Sequence, residues 1–225
     1  MYDNFELYIV SINSSISTDI NNAFEHAAEK GHLQLCKYLV SIGANAFHEA
    51  LYIAAENGHI EICKYIVLIN SIKLIDINNA LEYAAMGGHL NICVYFISLH
   101  TALYSTPLDF NHALTCAADH GHLKLFKYFI FIGADNLTRA LNGAAEHGQL
   151  NICKYIISIN VFNSKDLGKA LSRAAMNGHL QLCKYFVSIG TLNSIDFSRA
   201  LSRSAFMGHK DTHLYLQIEK SKCKN

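Results

Sequence analysis

The string Gly-His-Leu-x-x-Cys-Lys-Tyr recurs along the chain, as GHLQLCKY from Gly31, GHIEICKY from Gly58, GHLNICVY from Gly88 and GHLQLCKY again from Gly178. The glycines of the full set, Gly31, Gly58, Gly88, Gly121, Gly148, Gly178 and Gly208, are spaced 27, 30, 33, 27, 30 and 30 residues apart. Periods of this size mark a repeat array, in which each unit buries its apolar face only against its neighbours. Function then belongs to a surface rather than to a pocket. With 225 residues, 51% of them hydrophobic, the chain has enough apolar side chain for a continuous core.

Each unit carries Ala-Leu-x-x-Ala-Ala-x-x-Gly-His, as from Ala50 to His59, followed by a second apolar-periodic segment. Ala, Leu and Ala-Ala fall on one narrow face of a short helix, where small side chains let a neighbouring helix approach closely. The glycine suits the left-handed position that ends a helix. After it, Leu35, Cys36, Leu39 and Val40 form a stripe with a period of about 3.6 residues on a second helix. The unit is helix–turn–helix. Asp19, Asp76, Asp109, Asp135, Asp166 and Asp196, with Asn45 in the second unit, precede the first helices and are expected to be their N-caps.

Eighteen basic residues balance eighteen acidic ones, so bulk charge directs the chain to neither nucleic acid nor an anionic membrane. No apolar run reaches the ~18–20 residues of a membrane span, and MYDNFELYIV at the start lacks the features of a secretion signal. Five of the seven cysteines (Cys36, Cys63, Cys93, Cys153 and Cys183) share one repeat position. Equivalent residues on stacked helices lie roughly 10 Å apart, beyond the ~7 Å reach of a disulfide. The expectation is reduced thiols in a cytosolic or nuclear compartment.

Three columns invite chemistry. His and Cys four apart, as in His32/Cys36 and His179/Cys183, have a spacing that could place two ligands on one metal. The packing interpretation prevails, because Phe126 fills the cysteine position in one unit, and a phenylalanine cannot ligate. The tyrosine column (Tyr8, Tyr38, Tyr65, Tyr95, Tyr128, Tyr155, Tyr185 and Tyr215) could stack nucleic-acid bases. Without a matching basic groove it reads as a ladder between repeats. The lysines before it (Lys37, Lys64, Lys127, Lys154 and Lys184) read as a solvated face broken by Val94. No phosphate loop, nucleophile elbow or carboxylate pair stands apart from the repeat. The expectation is a chain without catalytic residues, metal or cofactor.

The Ala-Ala-x-x-Gly-His core, the Leu-rich helix after it and the Gly-Ala steps at Gly43-Ala44 and Gly133-Ala134 resemble the ankyrin-repeat family over nearly the whole chain. The family's Thr-Pro-Leu-His opening is absent, Ala50-Leu51 standing where Pro-Leu would. Units of 27 residues are about six short of the family's 33, and the deficit falls where the family places its projecting β-hairpin. The resemblance implies an all-α, ankyrin-type solenoid with shortened or absent hairpins, acting as a protein-interaction scaffold. The variant style is similar to that of ankyrin proteins from giant viruses of amoebae. That narrower likeness implies a host-protein partner in the host cytoplasm, the nucleus being the other compartment open to it. Some viral ankyrin proteins are substrate adaptors for ubiquitin ligases. No F-box-like segment follows Gly208, so that role would need a separate docking surface.

Residues 8–28 align with residues 65–85 at an offset of 57, so residues 1–18 are expected to be a half repeat holding only a second helix. Seven fuller repeats over 19–218 and a polar tail over 219–225 complete the expected organisation, with the last helix as a polar cap and the chain a monomer. A fragment of a longer array is the competing interpretation of that open start. By position, the resemblance assigns the concave, partner-binding face to the residues before each Ala-Leu and each Ala-Ala. His26, Ile53 and Tyr83 fall there early in the chain, and Cys116 and Gly143 in the middle. Arg139, Lys169, Arg173, Arg199 and Arg203 fall there late, and they include all four arginines of the chain. An acidic or phosphorylated peptide segment held by arginine forks is the expected ligand.

Overall fold

The computed structural model describes residues 17–70, 73–106 and 108–222. The expected half repeat over 1–18 therefore lies, save for residues 17 and 18, outside the described residues. Seven helix pairs follow in order: α1 (17–29) with α2 (Leu33–Ser41), α3 (Phe47–Glu56) with α4 (Ile60–Ile69), and α5 (Leu74–Gly87) with α6 (Leu90–Leu103). Next come α7 (Asn111–Asp119) with α8 (Leu123–Phe131), α9 (Leu137–Glu146) with α10 (Leu150–Ile159), α11 (Ser164–Met176) with α12 (Leu180–Ser188), and α13 (Ser194–Phe206) with α14 (Lys210–Lys222). Among the described residues none lies in a strand, so the fold is all-α and without projecting hairpins. The helices form two compact units, one ending at Leu108 and one beginning at Asp109. Residues 219–222, expected as tail, continue α14.

Within each unit first helices pack on first helices and second helices on second helices. In the first unit α3 lies against α5 and α2 against α4; in the second, α9 lies between α7 and α11, and α11 against α13. Alanine makes this approach possible. Ala54, Ala55, Ala84, Ala85, Ala144, Ala145, Ala174 and Ala175 are wholly buried, as are Leu51, Leu171 and the cysteines of the second helices. Phe126 fills the same site as those cysteines, consistent with a packing role for the column.

The turn within each pair is built by the repeated Ala-Ala-x-x-Gly-His. His59 N–H donates to Ala54 O at 2.9 Å and Gly58 N–H to Ala55 O at 3.4 Å, the two bonds of a Schellman end. Gly58 has φ +86°, in the left-handed region that a side chain disfavours. A second demand falls on the same atom: a Cβ at Gly58 would lie 2.6 Å from Cε1 of the His89 ring in the next repeat. That ring sits there because its Nε2–H donates to Glu56 O at 2.9 Å. The bond recurs from His59 to Glu29 O and from His179 to Glu146 O, each at 2.9 Å. Gln149 makes it to Asp119 O through its side-chain amide at 3.0 Å. One lock thus closes a helix and fastens the next repeat.

Asp109 Oδ1 accepts the N–H of Asn111 at the start of α7 at 2.9 Å, as expected of a capping aspartate. The aspartate N-caps expected at α5, α9, α11 and α13 are corrected. Asn136, Asn163 and Asn193 occupy the cap positions of α9, α11 and α13, and their side chains accept first-turn N–H groups. Asp76 and Asp196 stand at the third helical position, and their carboxylates reach back to the N–H of Lys73 and Asn193. Unit length explains the difference. In the 30-residue units α5, α11 and α13 run 13 or 14 residues, against 10 for α3 and α9, about one extra turn. The 27-residue units use an asparagine clasp instead. Asn21 Oδ1 accepts from the N–H groups of Asn45 and Ala46, and Asn111 Oδ1 from those of Asp135 and Asn136.

Two predictions follow from this packing. Replacing His179 by alanine removes the donor from a half-buried carbonyl, and we expect a loss of about 1–3 kcal/mol in urea unfolding. His179→Gln should keep most of it, because Gln149 already makes that bond in this fold. The second concerns alkaline pH. Burial pushes the thiols of Cys63, Cys93, Cys153 and Cys183 up to about 12 and that of Cys36 to about 11. The unfolded chain loses these protons near pH 9.0 while the folded chain keeps them, so rising pH favours unfolding. Stability should be intact at neutral pH and fall above about pH 9, by up to about 1.4 kcal/mol per buried thiol and pH unit. Urea melts across this range should show the fall, and Cys153→Ala should flatten it.

Candidate functional site

The basic residues singled out in the sequence converge in the second unit. Lys169 and Arg173 project from α11 and Arg199 and Arg203 from α13, each pair about one turn apart on adjacent first helices. With Asn142, Ser172 and Met176 they line an open groove of about 510 Å³. A contiguous hollow of about 430 Å³, bounded by Arg139, Asn142, Gly143, Glu146 and Arg173 and by Asp119 of α7, extends it across α9. Asn142, Ser172 and Met176 supply the neutral part of its lining.

Their charges are unequally spent. Arg173 is committed to Glu146 of the preceding repeat through Nη1. Lys169 and Arg199 stand 4.0 and 3.8 Å from Asp166 and Asp196, one turn back on their own helices. These distances exceed a hydrogen bond, so both heads retain their donors. Asp196 is itself buried and already accepts from Ser164 Oγ at 2.8 Å and from Asn193 N–H. Arg203 has no carboxylate partner among the described residues, and its Nη1 lies 3.6 Å from Met176 Sδ. Four cations therefore face three carboxylates, of which one is buried and otherwise engaged.

Gly143 was expected among the partner-binding positions, and the structure gives it another role. A methyl group there would collide with Oδ1 of Asp119, which is buried against the α9 backbone without a hydrogen-bond partner among the described residues. Burial pushes the Asp119 carboxyl above the usual range, opposed by the nearby charges of His147, His120 and Arg139. Gly168 makes the same accommodation for the Asp196 carboxylate on α11. Neither contact has a sequence signature, since each joins residues more than 20 positions apart.

The early candidates lie in the first unit. His26 is exposed on α1, with Nδ1 at 3.1 Å from Glu29 Oε2. Ile53 is half-buried on α3. Tyr83 of α5 stacks on Tyr52 of α3, centroids 5.2 Å apart and rings parallel within 2°. Tyr52 in turn donates to Asp76 Oδ1 at 3.1 Å and accepts from Asn79. Burial pushes the Tyr52 hydroxyl up. Asp76 also accepts from His48 Nδ1–H at 2.9 Å.

The lysine column is likewise corrected. Lys37, Lys127, Lys154 and Lys184 lie over the rings of Tyr65, Tyr155, Tyr185 and Tyr215 in the next repeat, at 4.6–5.8 Å from the centroids. They are rungs of the inter-repeat ladder, contributing ~0.5–1 kcal/mol each at such exposed sites. His59, His89 and His179 donate to carbonyls, and the column cysteines Cys36, Cys63, Cys93, Cys153 and Cys183 are buried. Among the described residues no three His, Cys, Asp or Glu side chains converge as a metal site would require.

Helix pairs locked turn to turn define a helical repeat protein. A family model described as Ankyrin repeats (3 copies) matches residues 5–78, 24–106 and 51–140, together more than half of the chain. The chain belongs to the ankyrin-repeat family. A search of curated proteins gives no match. Ankyrin repeats are generally protein–protein interaction modules and generally non-catalytic. No helix of the described residues is long and apolar enough to cross a membrane.

The Asp119–Gly143 contact is testable by a double-mutant cycle. Gly143→Ala should destabilise the chain by about 1–3 kcal/mol through overpacking, although alanine is the better helix former by ~1 kcal/mol. Combining it with Asp119→Ala should recover most of the loss.

Proposed function

We propose that the protein is a non-catalytic scaffold that captures an acidic or phosphorylated segment of a partner protein in the groove lined by Lys169, Arg173, Arg199 and Arg203. The observation that carries this reading is the imbalance of the groove. Three of its cations keep hydrogen-bonding capacity, Arg203 being engaged only by Met176 Sδ and by no carboxylate among the described residues. Like charges at Lys169/Arg173 and Arg199/Arg203 cost ~0.2–0.5 kcal/mol each in an isolated helix. An anionic ligand reverses that repulsion. A guanidinium offers five N–H donors in a planar fork and suits carboxylate or phosphate oxygens. Arg139, at the far wall of the adjoining hollow, extends the basic track across α9. His26, Ile53 and Tyr83 on the first unit supply a second, less charged partner surface in the same reading. In the setting that the giant-virus likeness implies, the partner is a host protein in the host cytoplasm.

Fluorescence anisotropy with glutamate-rich peptides, with and without phosphoserine, tests the proposal. Binding should weaken with salt. Arg173→Glu together with Arg203→Glu should reduce affinity by at least about tenfold, given ~1.5–3 kcal/mol per charge-assisted hydrogen bond. Unchanged affinity in a double variant with a native helical spectrum would remove the groove from consideration.

A further inference from the structure

One contact between neighbouring first helices recurs in register along the second unit. It joins the residue two before a turn glycine to the residue five before the turn glycine of the next repeat. Asp119 reaches Gly143 in this way, Glu146 reaches Arg173, and Met176 reaches Arg203. Arginine stands on the receiving side only at Arg173 and Arg203, where earlier repeats have Ile53, Tyr83, Cys116 and Gly143. The residue facing it also changes along the chain. Glu29, Glu56, Asp119 and Glu146 make that position acidic, Met86 and Met176 make it a thioether, and Phe206 makes it a ring.

The same guanidinium position is therefore closed in one repeat and open in the next. Arg173 donates through Nη1 to the Glu146 carboxylate. Arg203 turns its own Nη1 to Met176 Sδ at 3.6 Å, and a thioether is only a weak acceptor. An anion that draws Arg173 away leaves the Glu146 charge beside its own, and the two repel. Arg173 with Glu146 is thus a neutral stretch of the groove wall. The donors not already engaged by a carboxylate lie at Arg203, Arg199 and Lys169, on both α13 and α11. A carboxylate has two oxygens, which one guanidinium fork fills. A phosphate monoester has three acceptor oxygens and carries about −1.5 to −2 charge at pH 7, so it can take Arg203 and a second cation together.

We propose that the groove selects one phosphoserine of an extended segment, held at Arg203, and that Met176 and Glu146 set this choice by leaving one arginine open and closing the other. The proposal rests on the reading of the groove as an anion site, and it names the anion and its place. Arg173 and Arg203 are equivalent residues of adjacent repeats, roughly 10 Å apart. An extended chain crosses that distance in about three residues. A second phosphate at that spacing meets the closed arginine and gains little.

Fluorescence anisotropy tests this with one peptide in three forms: glutamate, one phosphoserine, or two phosphoserines three residues apart. Wild-type protein should bind the singly phosphorylated form at least about tenfold more tightly than the glutamate form. Met176→Glu places a carboxylate against Arg203 and should abolish that preference, whereas the neutral Met176→Gln should keep it. The second phosphate should strengthen wild-type binding by no more than about threefold, the scale of an exposed ion pair. In Glu146→Met it should strengthen binding at least about tenfold, the scale of a charge-assisted bond. Glutamate and methionine both occur at this position in other repeats, and native helical spectra would establish that each variant is folded. Equal binding of the glutamate and phosphoserine forms, a preference that survives Met176→Glu, or no gain in Glu146→Met would each overturn this proposal and leave the acidic-segment reading standing. Binding of none of the three forms would overturn both.

Discussion

The bond from a turn histidine to the carbonyl of the preceding repeat, made across a left-handed glycine, is the interaction on which the rest of the structure depends. It demands three things at once: a glycine with positive φ, an imidazole or amide that reaches back, and a carbonyl freed by the end of a first helix. Each demand falls on a different repeat element, so one bond ties a turn, a helix end and a neighbour together. The substitution of Gln149 for histidine shows which property matters, since an amide N–H at 3.0 Å serves as well as a ring N–H. Alanine columns then bring the first helices close, and the thiols and apolar rings of the second helices fill the remaining depth.

Such a construction separates scaffold from surface. Many residues that recur are occupied: His59, His89 and His179 with carbonyls, the column cysteines with the core, and Tyr65, Tyr155, Tyr185 and Tyr215 with the lysines of the preceding repeat. The residues between them vary in size and charge. In the second unit these positions gather Lys169, Arg173, Arg199 and Arg203 along one open groove. Position alone does not make a residue free, however. Arg173 is held by Glu146, Tyr83 by Tyr52, and Gly143 is there for Asp119.

Unequal repeat lengths have a local cause. Where three residues are added, the first helix gains about a turn, and in α5 and α13 an aspartate at its third position draws the chain back onto the cap. Where they are missing, Asn21 and Asn111 reach across to the next repeat and hold two consecutive N–H groups. Both devices satisfy backbone donors at the start of a first helix.

The sequence by itself determined the repeat, the helix–turn–helix unit, the packed fate of the cysteine column and the family, because these follow from periodicity and from residue types that recur in register. It also placed the arginines on one face, since spacing along a helix fixes direction. Only the tertiary structure decided that Arg173 is already paired with Glu146, that Lys37, Lys127, Lys154 and Lys184 lie over tyrosines, and that Gly143 makes room for Asp119. The reason is physical. Each of these depends on a neighbour some 20 to 35 residues away in sequence, and the distance and angle between stacked repeats are set by the packed alanines between them, not by the local pattern of either partner.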